Sequence, residues 1–168
     1  ETTPNLIGIE LIDGEDKNSA IDPSPLLAER GQVGCNNVVV DVDGKLRRGL
    51  LSMFKNDQPI PSFSMVLASM YLEAYNIFPQ STQTNPQVFR WGKALFHPFT
   101  PDEGGYRGAD AGGYQILLNY RGPAGSFHTV SLRDGLNNKI PPELMRERIV
   151  LIGATAISLN DFFYTPYS

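Results

Sequence analysis

Cysteine is nearly absent from this chain, because Cys35 is the one thiol among its 168 residues. A single cysteine cannot form an internal disulfide, and zinc sites built from several cysteines are excluded. Cys35 lies within the largely apolar run Val33–Val38, so we expect its thiol to be buried and chemically inert. The lack of disulfides does not assign the chain to the cytoplasm, since exported domains can fold without them.

Long hydrophobic runs are also lacking. No apolar run approaches the roughly 18 residues that cross a bilayer, and no basic segment followed by an apolar one opens the chain. The chain starts at Glu1 rather than Met and stops abruptly at Ser168. We therefore expect an excised piece of a longer protein, in which membrane segments could lie on either side.

Basic residues and histidines are few. Lys and Arg total 14 against 18 Asp and Glu, and the net charge of −4 gives no basic face for nucleic acid. His97 and His128 lack the spacing of metal ligands, and Ser126 lies in no nucleophile elbow. We expect no metal site, no cofactor, no catalytic residue and no nucleic-acid partner.

The hydrophobic pattern predicts several strands around one hairpin. Hydrophobic residues make up 41% of the chain, which is enough for one core. Apolar runs flank Asp43-Gly44, the strongest short-range signal for a hairpin. We expect strands at Leu6–Ile12, Val33–Val42, Leu46–Phe54, Val88–Phe99 with a break at Gly92-Lys93, Tyr114–Tyr120, Phe127–Val130 and Ile149–Ile152, the last buried on both faces.

One long helix is predicted over Ser62–Asn76, with Ser62 as its N-cap. We expect its apolar stripe to pack on a sheet; the stripe comprises Phe63, Val66, Leu67, Met70, Tyr71 and Ala74. The outer face is unusually apolar, so a second layer or a partner chain, as in a homodimer, is expected to cover it. Shorter helical turns are expected at Leu26–Arg30 and Leu132–Leu136. The fold class is therefore α/β, a mixed β-sheet with helices packed on it.

Arg47 and Arg48 form the most informative basic pair. Neighbouring residues of a strand face opposite ways, so one of the two points inward and needs a partner. Asp41 or Asp43 across the hairpin would supply it. A structural ion pair and recognition of an anion both fit this pattern.

Two further segments carry functional hypotheses. The Gly- and Asp-rich stretch Pro101–Gly113 is an irregular excursion of the kind that often carries function. Gly153-Ala154-Thr155 after an apolar run suggests a phosphate-holding turn, although neither GxGxxG nor GxxxxGK[ST] is present.

Three segments of the chain resemble the second type of CHASE domain. Val33–Gly49 carries Asp41-Val42-Asp43-Gly44 and Arg47-Arg48, similar to that family's D-x-D-G-x-x-R-R hairpin. The middle match joins Pro59–Leu72, with the helix entry Pro61-Ser62-Phe63, to Ile116–Pro123, with Asn119-Tyr120-Arg121-Gly122-Pro123, and to Phe127–Leu132. The most specific match runs from Arg148 through Ile149-Val150-Leu151-Ile152-Gly153 and Thr155 to Asp161, followed by Phe163–Ser168 with Thr165-Pro166.

The resemblance implies an extracellular sensory domain attached to a cyclase, a histidine kinase or a serine/threonine kinase. Such domains lie outside the cytoplasmic membrane between membrane helices and signal to a cytoplasmic enzyme. The family's N-terminal strand–helix unit has no counterpart here. We therefore expect residues 1–168 to form a single extracytoplasmic domain that is the C-terminal part of a larger one.

Candidate ligand-binding residues are polar side chains at predicted strand ends, where sites tend to form. They are Arg47, Arg48, Asn119, Arg121, Thr155 and Asp161. Each is equally compatible with a turn or pairing role.

Three functions remain open on the sequence. The first is a non-catalytic sensory input domain that binds a small molecule or responds to a physical stimulus. The second is a hydrolase or nucleotide-using enzyme built on Gly153-Ala154-Thr155. The third is a purely structural dimerisation module.

Overall fold

A computed structural model describes residues 3–12, 20–55, 58–156 and 162–167. Within these ranges nine strands and three α-helices form an α/β fold in which sheets dominate, as the sequence predicted. The strands are β1 (Gly8–Glu10), β2 (Val33–Cys35), β3 (Val39–Val40), β4 (Leu46–Lys55), β5 (Gln58–Pro61), β6 (Pro79–Ser81), β7 (Phe89–Trp91), β8 (Ala94–Phe96) and β9 (Tyr114–Leu117). The helices are α1 (Pro25–Ala28), α2 (Phe63–Glu73) and α3 (Leu132–Leu136), followed by a 3-10 turn at Pro142–Leu144.

Strand β4 organises the largest sheet. It pairs antiparallel with β3 and β5 along one edge and with β9 along the other. Arg48 therefore lies between Val39 of β3 and Leu117 of β9. This central position buries the first half of β4, where Arg48 and Leu50 are both removed from solvent.

The predicted hairpin joins β3 to β4. Gly44 has φ of 77°, a left-handed conformation that glycine adopts without the steric cost of a side chain. The Gly44 amide donates to the Asp41 carbonyl oxygen at 2.8 Å, which closes the turn. The hairpin at Asp43-Gly44 is confirmed.

A short parallel pair, β1 and β2, connects this sheet to helix α2. Gly34 of β2 packs directly on the start of the helix, where an added Cβ would lie 2.6 Å from the Phe63 Cα. The helix begins as predicted, since the Ser62 hydroxyl accepts a hydrogen bond from the Met65 amide at 3.1 Å. Cys35 of β2 is buried beside this junction, and burial raises the pKa of its thiol, as expected of an inert cysteine.

The third sheet is a three-stranded antiparallel meander, β6-β7-β8, with the predicted break at Gly92-Lys93 between β7 and β8. Trp91 is its buried residue. The Phe89 ring stacks on Phe96 at 4.9 Å and meets Tyr114 of β9 edge-on at 5.2 Å, which joins this meander to the β4 sheet. Strand β6 has no counterpart among the strands predicted from the sequence.

Two predicted strands are wrong. Residues 127–130 and 149–152 have no strand partner among the described residues. The run 149–152 was expected to be buried on both faces, yet its side chains are between 48% and 78% exposed. A strand needs a neighbour for its backbone hydrogen bonds, and periodicity alone does not supply one.

The packing of α2 differs in part from its predicted stripe. Val66 and Met70 face the groove beside β1 and β2, whereas Tyr71 and Ala74 are exposed. The helix ends at Glu73, earlier than Asn76, because the chain turns there. None of the helices in the described ranges is long and apolar enough to cross a bilayer.

Candidate functional site

The two neighbouring arginines of β4 face opposite sides of the sheet, as the pleat of a strand requires. The Arg48 side chain is 3% exposed and the Arg47 side chain 35%. A guanidinium as deeply buried as that of Arg48 is stable only if nearly all its N–H groups find acceptors. The acceptors around the Arg48 guanidinium therefore define the candidate site.

Asp41 is the common acceptor of both arginines. Its Oδ1 accepts from Arg48 Nε at 3.0 Å and Nη2 at 2.8 Å. Its Oδ2 accepts from Arg47 Nη1 at 2.9 Å and from the Tyr106 hydroxyl at 3.2 Å. Burial would raise the pKa of Asp41, but the hydrogen bonds from the two arginines outweigh it and lower that pKa.

The other edge of Arg48 reaches the irregular excursion. Arg48 Nη1 donates to the Asp110 carbonyl oxygen and to Gln115 Oε1, both at 2.7 Å. The guanidinium carbon lies 5.2 Å from the centre of the Phe99 ring and 4.7 Å from that of Tyr106. Charge-assisted hydrogen bonds and cation–π contacts together fasten the excursion to the sheet.

Gln115 completes this arrangement from β9. Its side-chain Nε2 donates to the carbonyl oxygens of Asp110 and Gly112, at 3.1 and 2.9 Å. We call the group Asp41, Arg48, Tyr106, Asp110 and Gln115 the Arg48 network. Among the described residues, no buried side-chain nitrogen or oxygen is left without a hydrogen-bond partner.

Arg47 forms a second, more exposed pair with the hairpin turn. Its Nη1 and Nη2 donate to the two carboxylate oxygens of Asp43 at 2.8 and 2.7 Å. This bidentate contact lowers the pKa of Asp43 to about 2, and it raises the pKa of Arg47. The structural ion pair predicted between the arginines and the hairpin aspartates is therefore present with both aspartates. Anion recognition by these arginines stays a prediction.

The remaining predicted site residues are not gathered into one cluster. Asn119 and Arg121 are exposed on either side of Tyr120, just beyond β9. Thr155 lies in exposed, irregular chain, and Asp161 lies outside the described residues. The Leu118 amide donates to the Arg47 carbonyl oxygen at 2.8 Å, which continues the pairing of β4 with β9 by one residue. Asn119 is the next residue along the chain. A ligand role for these residues stays a prediction.

Sequence reasoning missed the partners that Arg48 finds beyond the hairpin. They are Phe99, Tyr106, Asp110 and Gln115. The excursion that contains Tyr106 and Asp110 stood out as Gly- and Asp-rich, but a contact across more than 60 positions leaves no local signal. A guanidinium has five N–H donors, and one aspartate cannot accept from all of them. The need of a buried arginine for further acceptors was therefore the signal available in the sequence.

Two open surface grooves lie in the described part of the chain. One, of about 390 Å³, lies over the β6-β7-β8 meander and is lined by Gln80, Thr82, Arg90 and Leu95 among others. The second lies between α2 and the residues that precede β1 and β2. The first is within the size range of small-molecule sites. Neither groove includes Arg47 or Arg48. In the described part of the chain, no group of three or more His, Cys, Asp or Glu is arranged to hold a metal.

These features define the class, which is a mixed-sheet α/β domain. The charged and polar groups of its Arg48 network are hydrogen-bonded to one another. The family model described as the CHASE2 domain matches residues 1–168. The chain belongs to the CHASE2 domain family, a family of extracellular sensory domains associated with signalling receptors. No curated protein and no solved structure matches the chain.

Replacing the buried arginine should cost far more stability than replacing its exposed neighbour. Arg48→Met keeps the aliphatic stem but leaves Asp41 and Gln115 short of a donor, and we expect the free energy of unfolding to fall by about 3 kcal/mol. Arg47→Met is the matched control and should cost at most about 1 kcal/mol, because its ion pairs are partly solvated. Urea unfolding measures both. Equal losses would contradict the distinction.

Acid should weaken the domain through Asp41 and Asp43. The pKa of both carboxyls is lower in the folded chain than the ordinary 3.8. The folded state therefore binds fewer protons, so the stabilisation is complete above about pH 4 and is lost as the pH falls towards 2. We expect Asp43→Asn to reduce this loss in urea unfolding followed from about pH 7 to pH 2. An unchanged pH profile in Asp43→Asn would contradict the assignment.

Proposed function

We propose that this chain is the non-catalytic sensory input domain of a bacterial transmembrane receptor, lying on the outer side of the cytoplasmic membrane. The observation that carries the proposal is the CHASE2 match over residues 1–168. An effector or a physical stimulus shifts the domain between two conformations, and the receptor's cytoplasmic kinase or cyclase responds. An effector can do this only by the difference between its affinities for the two conformations.

A continuous set of contacts supports a route from the Arg48 network to the C-terminal segment. Lys45 and Tyr164 form a parallel bridge, and the Leu46 amide donates to the Tyr164 carbonyl oxygen at 2.8 Å. The Tyr120 hydroxyl donates to the Leu46 carbonyl oxygen at 2.6 Å, and its ring lies 6.2 Å from that of Tyr167. Residues 41–48 thus contact the excursion through Asp41 and Arg48, and they contact residues 164–167 through Lys45 and Leu46.

The excursion is the element we assign to the conformational change. It has no regular secondary structure between residues 100 and 113, and few groups tie it to the sheet besides the Arg48 network. Release of Asp110 and Tyr106 would leave Arg48 Nη1 with Gln115 Oε1 as its remaining acceptor and would remove the Tyr106 donor from Asp41. The attached and released positions of the excursion would therefore differ in discrete contacts. Such a two-position element is what a sensor needs.

The geometry gives the enzyme alternative no support. A phosphate-holding turn needs a strand and a helix to aim its backbone N–H groups. Gly153, Ala154 and Thr155 instead continue an exposed run with no secondary structure. Of the carboxyl groups, Asp41 and Asp43 have lowered pKa values, and both are engaged by arginine.

The location can be tested by introducing one accessible thiol into a full-length receptor in which Cys35 is the remaining native cysteine. Val42 at the hairpin tip is 110% exposed, so Val42→Cys offers an accessible thiol. A membrane-impermeant maleimide should label it in intact cells. The variant with Cys35 alone is the control, because that buried thiol should react only after denaturation. Labelling of Val42→Cys only in permeabilised cells would sink the proposed location.

Sensing is tested in the same receptor by its output. A panel of amino acids, dicarboxylates, sugars and nucleotides at about 1 mM is applied outside the cells, and kinase or cyclase activity is measured. We expect at least one compound to change the output, and Arg48→Gln to change the output without any compound. If neither the panel nor Arg48→Gln moved the output of a correctly folded receptor, the sensory role would be wrong.

A further inference from the structure

The start of β4 is held by a different segment from the one that holds its middle. The middle pairs with β9 in a ladder that runs from Arg48 to Ser52. The start is held by residues 162–167, which we call the strap. Lys45 forms an isolated parallel bridge with Tyr164 of the strap, and the Leu46 amide donates to the Tyr164 carbonyl oxygen at 2.8 Å. A single bridge is a smaller attachment than a ladder, so the strap can leave β4 while β9 stays paired.

Tyr120 lies where these two attachments meet. Its hydroxyl donates to the Leu46 carbonyl oxygen at 2.6 Å, beside the Leu46 amide that the strap accepts from. Its ring meets the ring of Tyr167 in the strap edge-on, with centroids 6.2 Å apart and planes inclined at 66°. Burial raises the pKa of Tyr120, so the hydroxyl stays protonated and able to donate at neutral pH. The hydroxyl therefore fixes the ring against β4, and the ring contacts the strap.

The strap is held less firmly than the sheet to which it is attached. None of the residues 162–167 is buried, whereas Arg48 and Leu50 of β4 are. Segments with exposed side chains and few backbone hydrogen bonds open locally at a low cost in free energy, while buried strands stay closed. We therefore expect local opening of the strap to be more frequent than opening of the β4 sheet.

The strap is attached directly beside the Arg48 network. The Lys45 carbonyl oxygen accepts a hydrogen bond from the Asp41 amide at 2.9 Å, and Lys45 is also the residue that forms the bridge with Tyr164. The same residue thus contacts the strap and the backbone of the aspartate that Arg47 and Arg48 share. A displacement of Asp41 therefore acts on the residue to which the strap is bound.

We propose that the strap is a releasable element, that Tyr120 is the positioning residue that keeps it attached, and that a change in the Arg48 network releases it. In the attached state the Leu46 amide is hydrogen-bonded to Tyr164 and the Tyr167 ring contacts Tyr120. In the released state both contacts are absent and β9 remains paired with β4. The part of the strap in signalling rests on the sensory role proposed above, whereas its release is a property of this chain.

Amide hydrogen exchange resolved by nuclear magnetic resonance tests the release in the 168-residue chain. The Leu46 amide reports on the strap, and the Leu118 amide reports on the pairing of β9. Tyr120→Phe keeps the ring and removes one hydrogen bond, so we expect the Leu46 amide to exchange about fivefold faster and the Leu118 amide to keep its rate. Tyr114→Phe is the matched control, because it removes a hydroxyl that donates to the Gln87 carbonyl oxygen at 2.7 Å, away from the strap.

A second variant shows whether Tyr120 acts through the strap. Tyr167→Ala removes the ring that Tyr120 meets and should also speed exchange of the Leu46 amide. Adding Tyr120→Phe to Tyr167→Ala should then have a smaller effect than Tyr120→Phe has alone, because the two residues share one contact. Strictly additive effects, or an unchanged Leu46 rate in Tyr120→Phe, would overturn the positioning role. Equal acceleration of the Leu46 and Leu118 amides would show that the strap and β9 open together, against the proposal.

A reversible lock tests the use of the release in the full-length receptor. Bridged residues of neighbouring strands lie about 5 Å apart, within the range that a disulfide spans. Lys45→Cys with Tyr164→Cys can therefore tie the strap to β4. In a receptor that also carries Arg48→Gln, the oxidised pair should return the output to the wild-type level. A membrane-impermeant phosphine reductant should restore the altered output, and the two single cysteine variants are the controls.

The lock separates failure of the strap from failure of the sensory role. If Arg48→Gln changes the output and the oxidised lock leaves that change in place, the strap has no part in signalling, although the sensory role stands. If Arg48→Gln and the panel of compounds both leave the output unchanged, the sensory role is wrong and the signalling part of the strap falls with it. The exchange rates of the Leu46 and Leu118 amides decide the release itself in either case.

Discussion

The hydrogen bonds between buried Arg48 and Asp41 are the interaction on which the rest of this structure depends. A charged pair out of water stabilises a fold only when its remaining donors and acceptors are used. Arg48 meets this requirement through the Asp110 carbonyl oxygen and the Gln115 side chain, which lie 62 and 67 positions away. One arginine thereby fixes the hairpin, the irregular excursion and β9 relative to each other.

Local features of the fold were predictable because local physics determines them. The turn at Asp43-Gly44 requires a left-handed residue, the start of α2 requires a side-chain cap, and the opposite facing of Arg47 and Arg48 follows from the pleat. The failures have a common cause. The run 149–152 has the composition of a buried strand, but burial depends on a neighbour that no pattern within the run specifies.

The candidate site shows the same division between local and distant information. Asp41 lies six positions before Arg47 and seven before Arg48, and its pairing with them was predicted. The contacts of Arg48 and Asp41 with Tyr106, Asp110 and Gln115 were not predicted. Donor counting could have shown that Arg48 needs more than one carboxylate, but it could not have named these residues. In the sensory role proposed above, an arginine that joins an irregular segment to a hairpin would couple the positions of the two. The contacts of Tyr164 and Tyr120 with the start of β4 extend that connection towards the C-terminal segment.

Hydrogen exchange followed by mass spectrometry tests the central claim most directly, comparing wild type, Arg48→Met and Arg47→Met. If Arg48 fastens the excursion to the sheet, amides between residues 106 and 113 exchange at least about tenfold faster in Arg48→Met, while those of α2 keep their protection and Arg47→Met resembles wild type. Wild-type exchange of the excursion in Arg48→Met would show that other contacts hold it, and the account built on the Arg48 network would be wrong.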